Sequence, residues 1–374
     1  MKLELREVSN KNELRTFIYL PKKIHSKDPH WLPPIWMDEK ELFNKKKNHS
    51  YEHADTIMLL AWRGEKAVGR IMGIISHRYN DINKENNGRF CFLECFNDKE
   101  VVHALISAVE EWARAKGMTA LVGPLGFSDK DPQGFQIEGF DLPQVMTTTT
   151  NLPYLPEMIA EEGYVKKKDI LNYHAPLPGK LPELYEKIFA RVNQRQDLKI
   201  IEFKSKKEIK PDIILDVLEL MNETFVEIYG FVPLTAAEKL ELAKRYLPLL
   251  SPEFIKVVTN KNGDMVGFAI GMPDLSEGIK KSKGYLLPFG IFHILRAAKK
   301  SRKLMMMLGG VKAQYRGQGI DTLMGAKILQ SAIEKKMSII DSHLVLEENQ
   351  RMRAEYERIG GSIVKRFRIF TKNL

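Results

Sequence analysis

Two short runs, Val68-Gly-Arg-Ile-Met-Gly73 and Val266-Gly-Phe-Ala-Ile-Gly271, place their glycines identically. Each is read as the second strand of a hairpin. The first hairpin covers 56–62 and 67–76 around Arg63-Gly-Glu-Lys66; the second covers 254–259 and 265–272 around Lys261-Asn-Gly-Asp264. The elements after each hairpin also repeat. A strand (90–96, or the apolar run 304–308) leads to a long helix ending near Met118 or Met337, then another strand. A short helix stopped by Gly163 or Gly360 and a basic, apolar closing strand complete each copy. Matches in this order predict a tandem repeat of one α/β unit. The expected fold class is α/β (α+β, mixed sheet) in two domains, 1–178 and 179–374, with 175–182, rich in proline, as the linker. The second copy should open with helices at about 183–194, 211–228 and 235–247.

With 374 residues, two ordinary domains fit, and 44% hydrophobic residues can fill their cores. No apolar run approaches the roughly 18 residues that span a bilayer, and the amino terminus lacks a signal-peptide core, so a cytoplasmic protein is expected. Cys91 and Cys95 are the only cysteines and suggest neither a disulfide framework nor a metal site. The net charge of +10 suits an anionic partner: CoA, nucleic acid or a membrane surface. Its lysines are dispersed and no zinc-finger or RNP-type motif accompanies them, which argues against specific nucleic-acid binding.

The strand at 304–308 runs into Val311-Lys-Ala-Gln-Tyr-Arg-Gly-Gln-Gly-Ile320, and a helical pattern from 321 to 336 comes next. Strand, glycine-bearing turn and helix together present bare backbone N–H groups to an anion. Gly317 and Gly319 remove side chains where a phosphate would sit, and Arg316 adds a cation. The spacing Gln314-x-x-Gly317-x-Gly319 resembles the pyrophosphate signature of the GNAT (Gcn5-related N-acetyltransferase) acyl-CoA transferases. The carboxyl end resembles their second signature: Asn349 opens the last helix, Tyr356 follows seven residues on, and Gly360 eleven on. Gly361 stands where the family usually has an aromatic. The whole resembles bacterial tandem GNAT-like proteins of unassigned substrate.

That resemblance implies one acyl-CoA site, in the second copy. The corresponding turn of the first copy, Phe96-Asn-Asp-Lys-Glu100, has no glycine and places Asp98 and Glu100 where a pyrophosphate would approach. At contact, two like charges repel by about 4 kcal/mol at an effective dielectric near 20. Ile159 replaces the tyrosine. In the second copy, the resemblance assigns Val311, Lys312, Gln314, Arg316, Gly317, Gln318, Gly319, Ile320 and Asn349 to CoA. It makes Tyr356 the acid that meets the departing thiolate; a phenol of ordinary pKa near 10 is protonated at neutral pH and can donate. Strict alternation along 339–346 puts Asp341 and His343 on one strand face, and His343 is the candidate base. Glu347 and Glu348 are read as acids favouring the amino terminus of the final helix. No metal is required.

Two stretches stand outside the repeat. The loop 124–151, with Asp129, Asp131 and Glu138, reads as an acceptor pocket for a cationic amine or as an Ω-loop covering the second domain. Residues 284–303 are apolar and aromatic, then basic. This pattern suits peripheral membrane contact, a lid over an acyl chain or, the preferred reading, a helix packed across both domains. The expected function is acetyl transfer from acetyl-CoA to a small amine or amino-acid-like acceptor. A CoA-binding regulatory protein and a Fem-type aminoacyl transferase are the alternatives.

Overall fold

The computed structural model describes the chain except Pro182, Leu184, Glu186, Ile188, Phe189, residues 191–196 and residues 248–249. The helix expected over 183–194 therefore lies largely outside the described residues. The strands are β1 (Leu3–Glu7), β2 (Ala54–Arg63), β3 (Lys66–Ser76), β4 (Asn87–Cys95), β5 (Ala120–Gly123), β6 (Phe135–Glu138) and β7 (Val165–Pro176). They continue with β8 (Leu198–Glu202), β9 (Ile255–Asn260), β10 (Met265–Pro273), β11 (Lys303–Val311), β12 (Ile339–Ser342), β13 (Val345–Leu346) and β14 (Ser362–Asn373). Helices of the first half are α1 (Lys11–Ile24), α2 (Trp36–Leu42), α3 (His77–Asn83), α4 (Lys99–Ala115) and α5 (Tyr154–Glu161). Those of the second are α6 (Pro211–Thr224), α7 (Ala236–Tyr246), α8 (Ser276–Lys281), α9 (Gly290–Lys300), α10 (Ile320–Glu334) and α11 (Gln350–Arg358).

The repeated glycines are explained by packing. Helix α4 lies so close on β3 that a Cβ at Gly69 would come within 2.6 Å of Val101. Helix α10 approaches β10 in the same way, with Ile320 3.0 Å from a Cβ at Gly267. Both helices bury one apolar face: Val101, Leu105 and Val109 on α4, Ile320, Met324 and Ile328 on α10. Each strand-to-helix turn is thereby aimed at the end of its sheet.

One sheet runs through both halves in the order β1-β2-β3-β4-β5-β14-β7-β12-β11-β10-β9-β8. The closing strands have changed places. β14, last in the second copy, pairs with β5 of the first, and β7, last in the first copy, pairs with β12 of the second. Between them, β14 and β7 form a long antiparallel ladder from Ser362↔His174 to Thr371↔Val165. The proline-rich stretch taken as linker begins inside this structure, since Ala175 and Pro176 pair with Ile340 and Ile339. Phe367 and Ile369 on β14 are fully buried, and Asp169 on β7 holds both Arg366 and Arg368. Among the described residues, no helix is long and apolar enough to cross a membrane.

Because β14 belongs to both halves, they should lose structure together. Phe367→Ala should cost about 3–5 kcal/mol. The four tryptophans all lie before residue 113. Their fluorescence and far-UV circular dichroism should therefore give coincident denaturation curves; two separated transitions would show that the halves fold independently.

Candidate functional site

The site begins where two parallel strands part. β11 and β12 pair only from Lys303↔Ile339 to Met306↔Ser342. Against β10, β11 skips a residue: Gly271 faces Met306 and Ile270 faces Leu308, leaving Met307 in a bulge. The His343 N–H donates to the Met306 carbonyl at 2.9 Å, and the chain then turns away so that β13 pairs with β7 instead. From Met307 to Val311, β11 therefore has β10 on one side and no described strand on the other. This corrects the reading of 339–346 as one alternating strand. Asp341 and Ser342 are both fully buried, and His343 stands outside the strand.

β11 leads straight into the glycine turn. Lys312 N–H still donates to Val266 O at 2.9 Å, and a short 3-10 turn, Ala313–Tyr315, comes next. Gly317 and Gly319 have φ of +76° and +81°, which L side chains rarely adopt, and a Cβ on Gly317 would meet nothing within 4 Å. Helix α10 starts at Gly319 without a side-chain cap, its Ile320 side chain buried beneath. Gln318 Nε2 donates to Gln314 O at 2.8 Å, tightening the turn. Arg316 folds back, Nε 3.3 Å from Val311 O and Nη1 3.9 Å from Glu227; Lys312 lies 3.5 Å from Glu223. Arg351 of α11 pairs with Asp321, the acid in the first turn of α10.

The first half fills the same places with its own atoms. Asp98 caps α4, accepting from Glu100 N–H at 3.1 Å, and Arg63 clamps Asp98 and Glu100 at 2.8 and 2.6 Å. Register makes Cys95 the counterpart of Val311, since they face Gly69 and Gly267. Its carbonyl already accepts from the Tyr154 hydroxyl at 2.6 Å.

Tyr356 lies under the sheet on α11, 7% exposed, its ring stacked on Tyr173 at 5.5 Å. Burial, and then the charge of Asp341, push its phenol above the ordinary value, so it stays a donor. Asn349 caps α11, accepting from Met352 N–H at 3.1 Å. An aromatic at 361 is excluded, because a Cβ there would lie 2.6 Å from Tyr356 O. Glu347 and Glu348 lie ahead of the cap and pair with Lys166 and Lys168 of β7, a correction to their reading as helix-start acids.

His343 accepts a hydrogen bond from Leu344 N–H on Nδ1 at 2.7 Å, and burial lowers its pKa. The ring is thus neutral with its proton on Nε2, a donor rather than the base expected from sequence. A different histidine has the geometry of a base. His174, on β7, pairs through Nε2 with the buried Asp341 carboxylate at 2.8 Å. Asn172 donates to the same carboxylate at 2.7 Å, and Lys303 stands 3.5 Å away. An acceptor carboxylate fixes the Nε2–H tautomer and leaves Nδ1 able to take a proton. Nothing in the residues around His174 signals this role, because only the strand exchange carries it to β12.

The loop 124–151 does cover the second half. Asp129 N–H donates to Gly230 O at 3.1 Å, and Met146 N–H to Ser276 Oγ at 3.0 Å. Asp129 pairs with Lys130 at 2.8 Å, and its charge acts on His343. Asp131, raised to about 6 by burial, lines a cleft of about 110 Å³ with Arg78, Lys130 and Glu238; no residue of β11 or α10 reaches that cleft. Glu138 is apart from both, 3.2 Å from Arg366. Lys365 of β14 is 3% exposed and donates to Leu142 O at 2.8 Å beneath the loop.

Solved structures share this fold. A tandem GNAT protein from the clavulanic acid biosynthesis pathway superposes with a TM-score of 0.56 at 14% identity, covering 100% of this chain and 98% of that one. The chain has the tandem GNAT fold. A GCN5-related N-acetyltransferase from Sphaerobacter thermophilus gives a TM-score of 0.50 at 12% identity, covering 99% and 95% of the two chains. No family profile matches. In sequence, the chain is 28% identical to a bacterial ceramide synthase of Caulobacter vibrioides, covering 100% of this chain and 98% of that protein. It is 26% identical to protein YghO of Escherichia coli, covering 99% and 95%.

Burial lowers Lys365 to about 8 from a free value of 10.5. Between those values the unfolded chain binds the extra proton, so stability rises with pH across that window. Denaturation midpoints should climb from pH 8 to pH 10 more in the wild type than in Lys365→Met; equal slopes would refute the shift.

Proposed function

We propose that the protein is an acyl-CoA-dependent N-acyltransferase, with 1–178 a unit without a donor site and 179–374 the unit that holds one. The observation that carries this reading is the parting of β11 from β12 above an uncapped, glycine-opened helix. The fit to CoA is specific. A pyrophosphate suits the N–H groups and dipole at the start of α10, with Arg316 and Lys312 beside it. The amides of a pantetheine arm suit the free edge of Met307 to Val311.

The two faces of the gap would then divide the chemistry. On the α11 face, Tyr356 donates a proton to the leaving sulfur as the C–S bond breaks. On the opposite face, His174, oriented by Asp341, takes the proton from the amine as the C–N bond forms. His343, with Nε2–H, is the donor available to the carbonyl oxygen that gains charge. Remote contacts with the pyrophosphate would hold the thioester in place for the attack.

Ceramide is an amide of a long-chain amine and a fatty acid, so the similarity to a ceramide synthase supports a long-chain substrate over the acetyl group and small acceptor expected from the signatures. Met307 at the gap, packed on the apolar cluster of Met272, Leu275, Ile294 and Met305, supports the same choice.

Calorimetry with acetyl-CoA and palmitoyl-CoA should detect binding of the long-chain thioester to the wild type. Gly317→Glu should abolish binding while costing about 1–2 kcal/mol of stability. Failure of both thioesters to bind the wild type would remove the proposal. With a long-chain amine and a free-thiol assay, His174→Gln and Asp341→Asn should lower kcat by roughly 100-fold or more with acyl-CoA affinity kept. Unchanged turnover in Tyr356→Phe would exclude its acid role.

A further inference from the structure

From residue 278 to residue 320 the sequence has ten lysines and arginines and no aspartate or glutamate. Within this stretch the structure exposes an unusual amount of apolar surface. Leu287, Phe289 and Phe292 are 81%, 68% and 65% exposed, and Leu295, Ile291 and Tyr285 are 50%, 47% and 40%. Six of the sixteen large hydrophobics exposed among the described residues thus fall within eleven positions. Scattered apolar side chains need no explanation, but a contiguous group does.

The group is held firmly. Helix α9 buries only Gly290 and Ile294, packed so tightly on α8 that a Cβ at Gly278 would lie 2.6 Å from Ile294 Cα. The α8–α9 hairpin is tied to the first half by Trp36, whose indole N–H donates to Lys283 O at 2.8 Å and whose backbone N–H donates to Gly284 O at 3.1 Å. The inner side of the hairpin does pack across both halves, as expected from its pattern. Its outer side is bare. Basic residues flank it: Lys281 and Lys283 before the apolar group, Arg296, Lys299 and Lys300 after it, all exposed.

We propose that this face docks on an anionic lipid surface. Aromatic and aliphatic side chains would enter the interfacial layer while the lysines and arginines meet the headgroups, a pairing that a neutral protein partner would not require. The fold gives the face a purpose. Ile294, on its inner side, belongs to one apolar cluster with Met272, Leu275 and Met305, against which Leu286 and Met307 pack. Met307, the first residue of β11 past its last pairing with β12, borders the gap. Apolar contacts therefore run from the exposed face to the reaction gap. Resting on the N-acyltransferase reading, the inference is that the long-chain substrate is drawn from the bilayer and not from solution.

Flotation with vesicles tests the docking separately from the chemistry. Wild-type protein should float with vesicles of phosphatidylglycerol and phosphatidylcholine, and much less with phosphatidylcholine alone. Phe289→Asp/Phe292→Asp and Lys299→Glu/Lys300→Glu should each weaken flotation by roughly tenfold or more, the wild-type binding also falling with salt. These positions are exposed, so melting temperature and acyl-CoA affinity should be unchanged. Acyl transfer to a vesicle-borne long-chain amine should fall in parallel, with transfer to a short soluble amine kept. Wild-type protein that does not float, or flotation insensitive to all four substitutions, would overturn the proposal. So would sedimentation as a dimer that Phe289→Asp/Phe292→Asp converts to monomer, which would make the face a contact between copies. Docking without acyl-CoA binding would reject the enzyme reading and leave the lipid surface standing.

Discussion

The pairing of β14 with β7 is the constraint on which the rest depends. Each half of the sheet is one strand short of closing on its own sequence, and each receives that strand from the other half. The exchange places Asp169 of β7 against Arg366 and Arg368 of β14 and buries Phe367 and Ile369 between the halves. A buried carboxylate with two guanidiniums fixes register as well as sign, because a slip by one residue would turn every side chain to the other face. It also assembles the candidate site. β7 brings His174 to Asp341, while its other face brings Tyr173 under Tyr356.

The two copies show how one architecture is kept open or closed by few atoms. In both, a strand bulges, parts from its parallel neighbour and enters a helix through a turn. In the first, the helix N–H groups are taken by Asp98, the acids by Arg63, and the strand-end carbonyl by Tyr154. In the second, glycines at positive φ leave space, Arg316 donates to the Val311 and Thr224 carbonyls, and Arg316 and Lys312 reach the carboxylates of Glu227 and Glu223 only at long range. Ion pairs at such distances and exposure hold weakly, which suits the proposed replacement of those carboxylates by a phosphate.

The acid-free stretch 278–320 links the bare apolar face of the α8–α9 hairpin to the glycine turn in sequence, and the cluster of Ile294, Met305 and Met307 links it to the gap in space. The glycine turn proposed to hold the anion follows β11, and the helix proposed to dock on lipid precedes it. Such an arrangement suits a reaction that joins a water-soluble thioester to a membrane lipid.

The repeat, the hairpins and the glycine turn were legible in the sequence because each rests on local rules: strand periodicity, turn residues and helix starts. So were the acids and the missing glycine in the turn of the first copy, which need no packing to be read. Three features were beyond local rules. The strand exchange has no sequence signature, because β7 and β14 are both basic, apolar strands that could close either half. The break after Ser342 arises from a hydrogen bond to Met306 on another strand, so alternation along 339–346 misplaced His343. The Asp341–His174 pair joins residues from different copies. Composition and spacing determined the units of this protein; which strand closes which unit, and therefore which histidine meets the buried carboxylate, was decided only when the sheet formed.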